Sequence, residues 1–178
     1  MALAGPYAVT ALVLALAGIT KVLRPDPAAR MLQALHLHVP GWLVRGVAVA
    51  EVSLAGAGLI TGSRILAAAV SASYVALAAI VALAMWRPIG ALGSCGCFGE
   101  LDSRPTIGHL LLNIAGSIIA LAAVRWPVGG LATLARGQPL HGAVFASYVI
   151  LATWFWYLVV TALGRVKGVR APERAGGQ

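Results

Sequence analysis

The chain contains two cysteines, Cys95 and Cys97, one residue apart in the stretch GSCGCFGE at residues 93–100. Two thiols at this spacing can close a small disulfide ring, tighter than that of Cys-x-x-Cys and away from relaxed disulfide geometry. Such a disulfide is strained, and strain makes it easier to reduce and exchange. Gly96, between the cysteines, can take backbone angles closed to other residues. A staple between residues so close in sequence would remove almost no chain entropy, so stability is a poor reason for the pair to exist. Thiol redox chemistry is thus the leading reading. Two others stay open. Cys95 and Cys97 could form half of a metal site, with imidazoles from His109 or His141, and copper(I) suits soft thiolates. No second cysteine pair exists, however, and the spacing matches no standard zinc pattern. The stretch could also be an inert, glycine-rich turn.

Other polar residues fall where they could support such chemistry. His109, Asn113 and Ser117 follow the cysteines at successive gaps of four, which puts them on one face of a helix. An imidazolium beside a thiol lowers its pKa. In the alternative reading, Asn113 and Ser117 are interhelical hydrogen-bond glue and His109 sits at headgroup level. Glu51 lies in the middle of an apolar run, with Arg45 near that run's start and Lys21 and Arg24 ending the run before it. Charges inside an apolar run are costly and point into a bundle. Glu51 could pair with Lys21 or Arg45 as a clamp that sets helix register, or act as a proton carrier beside a redox centre.

The elements that must position these residues are membrane helices. Of the 178 residues, 60% are hydrophobic and 10% charged, with mean hydropathy +0.90. A soluble domain carries about a quarter of its residues as charges. Apolar runs long enough to cross a hydrocarbon layer of about 30 Å recur along the chain. Five spans are expected, at roughly 5–22, 42–61, 65–86, 107–125 and 141–163. The first has no basic residue before its apolar core and reads as a retained helix rather than a secretory signal. Between the first and second spans, AARMLQALHLH reads as a short helix lying at the interface. The domain assignment is a polytopic membrane domain over 1–163 and a basic, disordered tail over 164–178. Small residues in AEVSLAGAGL, AAAVSASYVALAA and AGSIIALAA argue for close helix packing in lipid. The fifth span carries Trp154, Phe155, Trp156 and Tyr157, read as lipid contact or as one wall of a quinone or lipid pocket. The net charge of +8 would suggest nucleic acid in a soluble protein. Here the basic residues sit at helix ends and in the tail, so the expected partner is the lipid bilayer and not nucleic acid.

These residues carry a resemblance. CGCFGELDSRPTIGHLLLNIAGSIIAL resembles the Cys-x-Cys-Phe-Gly segment of the methylamine-utilisation MauE family, within the wider DoxX-like redox-associated membrane proteins. AGITKVLRPD resembles that family's Ala-Gly-x-x-Lys-hydrophobic-x-x-Pro pattern, and Glu51 followed by LAGAGLITG resembles its second helix. The likeness covers roughly residues 8–125. Cys95, Cys97, Phe98, Gly99, Lys21, Pro25, Glu51 and Asn113 match. Relatives often carry an arginine just before the asparagine, where this chain has Leu112. The resemblance implies an all-α, four-helix membrane bundle, distantly similar to vitamin K epoxide reductase and DsbB-type proteins, here with a fifth C-terminal span. It also implies thiol-disulfide traffic beside a thioredoxin-fold partner, aiding maturation of a disulfide-containing or cofactor-containing enzyme. A DsbB-like relay uses two cysteine pairs, and this chain has one.

The expected function is therefore a multi-pass protein of the cell membrane that exchanges electrons through Cys95 and Cys97. Lys21, Glu51, Phe98, Gly99, His109 and Asn113 are expected as supporting residues. No resident metal is assigned, and a quinone near Asn113 and the aromatic cluster is the candidate electron acceptor. The alternatives are a non-catalytic subunit that stabilises a partner enzyme or transporter, and a copper-handling membrane protein. Two arguments about sidedness collide. Five spans put Lys21, Arg24, Arg30, Arg45, Arg87, Arg104 and the basic tail on one side, against Arg64, Arg125 and Arg136 on the other. The positive-inside rule then places the Cys-Gly-Cys loop in the cytoplasm. Disulfides persist on the outer face.

Overall fold

In lipid, every backbone N–H and C=O must find a partner within its own segment, so long apolar runs become helices. The computed structural model describes residues 3–86, 106–137 and 142–168, without the side chains of 134–135 and 160–168. Seven helices are seen among them: α1 (Ala4–Leu23), α2 (Asp26–Ala34), α3 (Gly41–Thr61), α4 (Arg64–Trp86), α5 (Ile107–Arg125), α6 (Leu131–Arg136) and α7 (Ala143–Gly168). Helices α1, α3, α4 and α5 are long and apolar enough to cross a membrane, while the apolar stretch of α7, Ala143–Val159, is shorter. The protein is an all-α membrane protein with no strand among the described residues.

Local sequence sets the breaks. Pro25 and Pro27 cannot continue α1, and they open α2 instead. Pro40 opens α3, and Gly62 ends it in the left-handed conformation, with φ 65°. Thr106 caps α5 by accepting a hydrogen bond from the His109 backbone N–H.

Helix α1 is the centre of the bundle. Inside its apolar window 56% is buried, against 28%, 28% and 22% for α3, α4 and α5. Tyr7, Ala11 and Leu14 of α1 meet Ala55 of α3, Val70 and Tyr74 of α4 and Ala120 of α5 in one buried cluster. On its other side Ala8, Val9, Val13 and Ala17 pack with Val149 of α7. Gly18 lies against Ala48 and Val52, and Tyr7 against Gly58, so α1 and α3 run antiparallel.

The bundle therefore has two distinct ends. At the first, the tight Gly62–Ser63 connection joins α3 to α4, and residues 126–130 follow α5. At the second lie Lys21, all of α2, the start of α3, the end of α4 and the start of α5. There Met31 and Leu35 of α2 are buried with Val81 and Ala84 of α4, with Leu110 of α5 packed on them. Residues 87–105 join α4 to α5 at this second end. Cys95, Cys97, Phe98 and Gly99 belong to that stretch and lie outside the described residues, as do His141 and residues 169–178 of the expected tail. The remainder of that tail, up to Gly168, continues α7. The six-residue α6 was not anticipated, because one and a half turns leave no readable apolar period.

Candidate functional site

The most polar point inside the bundle is an ion pair made by α1 and α3. Gly18 allows it. A side chain there would overlap Val52 and the Ala48 carbonyl, so the bare backbone lets the two helices approach closely. Lys21, just under one turn further along α1, then reaches Glu51, with Nζ 2.5 Å from Oε2. The two side chains are only 9% and 7% exposed. Glu51 stands ten residues into α3, about 15 Å from its start at ~1.5 Å per residue, while Lys21 lies in the last turn of α1. Inside the bundle a lone charge is strongly unfavourable, and pairing offsets that cost. Arg45, the other expected partner of Glu51, is exposed on α3.

A second polar seam joins α1, α4 and α5. The Tyr74 hydroxyl donates to the Thr10 carbonyl at 2.7 Å across the bundle. Its ring lies where Gly116 has no Cβ, since any Cβ there would meet the ring. Ser71 of α4 donates to the Ser117 carbonyl at 3.1 Å, and the two hydroxyls lie 3.1 Å apart. The Tyr7 and Thr10 hydroxyls are buried with no hydrogen-bond partner among the described residues.

The His109–Asn113–Ser117 stripe shares a helix face, yet its members do different things. His109 is buried in the first turn of α5, with Nδ1 2.8 Å from the Thr106 hydroxyl. Asn113 donates from its side chain to the His109 carbonyl at 2.8 Å, so it is bonded within its own helix and is not interhelical glue. Local geometry wins because a carbonyl four residues back is always in reach of such a side chain. Ser117 bonds across to Ser71 of α4. Of the aromatic cluster, Trp154 and Phe155 face outward, while Trp156 and Tyr157 pack toward α1.

Sequence reasoning missed a cavity. A space of about 420 Å³ lies between α2, α3 and α4, and Lys21 and Glu51 form part of its wall. The only advance signal was the mid-run Glu51 itself; the space comes from α2 lying against α3 and α4. Among the described residues, no group of three or more His, Cys, Asp or Glu side chains could hold a metal.

Comparison with known proteins agrees with the residues. A family model described as methylamine utilisation protein MauE matches residues 1–127, which takes in α1 to α5 and the intervening Cys95-Gly96-Cys97 stretch. No curated protein and no solved structure matches the chain. With the match covering well over half of the sequence, including the helices that build the ion pair and the polar seam, the chain belongs to the MauE family of methylamine utilisation proteins.

Proposed function

We propose that this membrane protein exchanges a disulfide with a thioredoxin-fold partner through Cys95 and Cys97, in support of maturing a disulfide-containing or cofactor-containing enzyme of methylamine use. The observation that carries the reading is that the two thiols of the chain, one residue apart, fall inside the matched family region. Their spacing suits exchange and is of little use as a staple. One cysteine thiolate attacks the partner's disulfide and displaces one partner thiolate, giving a mixed disulfide. The other cysteine then attacks that bond and releases the reduced partner. Two electrons and two protons leave the Cys95/Cys97 dithiol, which becomes a disulfide, and the reverse sequence oxidises the partner. The N-terminus of α5 lies at the bundle end where residues 87–105 join α4 to α5, and a helix N-terminus favours a thiolate.

The test is the redox state of thioredoxin-fold proteins in cells carrying the Cys95→Ser/Cys97→Ser double variant. A shift in one of them is expected, and a single-serine variant should trap that protein as a mixed disulfide. An unchanged redox state with no trapped species defeats the proposal and favours a non-catalytic subunit. Labelling intact cells with a membrane-impermeant maleimide assigns the face: reaction places the pair outside.

A further inference from the structure

The ion pair between Lys21 and Glu51 is incomplete as a hydrogen-bonding unit. An ammonium carries three donors and a carboxylate accepts at two oxygens. One bond joins them here, and the other donors and the second carboxylate oxygen have no further hydrogen-bond partner among the described residues. A buried pair is held well only when those remaining groups are also satisfied. Both side chains line the cavity between α2, α3 and α4.

The rest of that cavity is apolar. Met31, Leu32, Val44, Leu54, Leu77 and Ile80 form most of its walls. Ser73 also lines it, but its hydroxyl is engaged by the Ala69 carbonyl at 3.0 Å. Val47, another wall residue, is 55% exposed, so the space reaches the lipid-facing surface. Its volume, about 420 Å³, falls within the range of roughly 300–1,000 Å³ of small-molecule sites. A second, smaller space beside Leu12, Leu59 and Phe145 has no charged group in its wall and nothing to orient a ligand.

The geometry points to a binding site for a membrane-dissolved amphiphile with an uncharged, carbonyl-bearing head, seated with the head against Lys21 and Glu51 and the tail along α3 and α4. Three features select this chemistry. The walls are apolar and the space opens on the apolar outer surface of the spanning helices, so the ligand must be soluble in hydrocarbon. The Lys21–Glu51 pair is net neutral, so a charged head would gain no compensating charge there. The free ammonium donors call for an acceptor such as a carbonyl oxygen, and the second carboxylate oxygen can take a hydroxyl. Prenylated quinones and neutral glycerides both carry such a head on a long tail. The site does not depend on the cysteine chemistry proposed above.

The test measures ligand-dependent thermal unfolding of the purified full chain in detergent, followed by circular dichroism. The probes are a decyl-tailed benzoquinone, dioctanoylglycerol and, as a headless control, decylbenzene. A saturable rise in the midpoint with the quinone or the glyceride, and none with decylbenzene, is expected. A greater rise with the quinone assigns the site to quinones, and a greater rise with the glyceride assigns it to neutral lipid. Ala76→Phe and Ala50→Phe fill the cavity from its exposed side and should abolish the rise; each is a check on the other's folding. Lys21→Met with Glu51→Gln should weaken apparent affinity at least tenfold. The Cys95→Ser/Cys97→Ser variant should bind as the parent does, so a failure of the thiol reading leaves this result untouched. A rise that survives both cavity-filling variants, an equal rise with decylbenzene, or no rise with any probe overturns the proposal.

Discussion

The two ends of the bundle are built on opposite principles. At the first, α3 turns into α4 through Gly62 and Ser63, and the backbone of residues 128–130 lies directly on that turn. A Cβ at Gly62 would overlap the Val128 carbonyl, and one at Gly130 would overlap the Ile60 carbonyl. Backbone touches backbone there, and the smaller space beside it has no charged group in its wall. At the second end the connections are long, α2 is laid across α3 and α4, and a cavity remains with an ion pair in its wall. Short connections force close packing, whereas long ones leave room that side chains must organise. The seam between the ends, made of Tyr74–Thr10 and Ser71–Ser117, ties the helices at mid-length.

The contrast can be broken most forcefully at the second end. Lys21→Met leaves the Glu51 carboxylate alone in the bundle and should destabilise the protein by about 3 kcal/mol or more, read as thermal unfolding in mild detergent. Adding Glu51→Gln should recover most of that loss, because the uncompensated charge goes; equal instability of single and double variants would mean the pair does not organise this end. At the first end, Gly62→Ala places a Cβ at positive φ and against backbone, for an expected loss of about 2 kcal/mol. Gly46→Ala is the control. Nothing lies within 4 Å of its new Cβ, so the change should be neutral or stabilise the helix by up to about 1 kcal/mol. A loss at Gly46 matching that at Gly62 would show that close approach is not what distinguishes the first end.

The seam should respond less. Tyr74→Phe removes the hydroxyl that reaches the Thr10 carbonyl and should cost about 1 kcal/mol in the same assay. Ser71→Ala should cost least, about 0.6 kcal/mol, as an interhelical hydroxyl bond in a membrane protein does on average. If Ser71→Ala destabilised the protein as much as Lys21→Met, the seam rather than the ion pair would be the principal tie.

Much of this was legible from residue order. An apolar run in lipid has one way to satisfy its backbone, so the helices could be read directly. The charged residue inside the second run announced a polar site, and the spacing of His109, Asn113 and Ser117 announced a shared face. What each member of that face does was not legible. Asn113 turns back to its own helix, and Ser117 crosses to Ser71, although both stand on the same stripe. Spacing along one helix carries no information about what the neighbouring helix presents at the same height.

The sequence by itself thus determined that this is a helical membrane protein with one closely spaced pair of thiols and a charge buried in its second span. Composition and period alone set those features, because the bilayer admits so few backbone solutions. Tertiary structure decided that Glu51 meets Lys21 rather than Arg45, and that a cavity opens beside them. The reason is the close approach of α1 and α3 at Gly18, which sets the register of two antiparallel helices and so chooses which charges can touch.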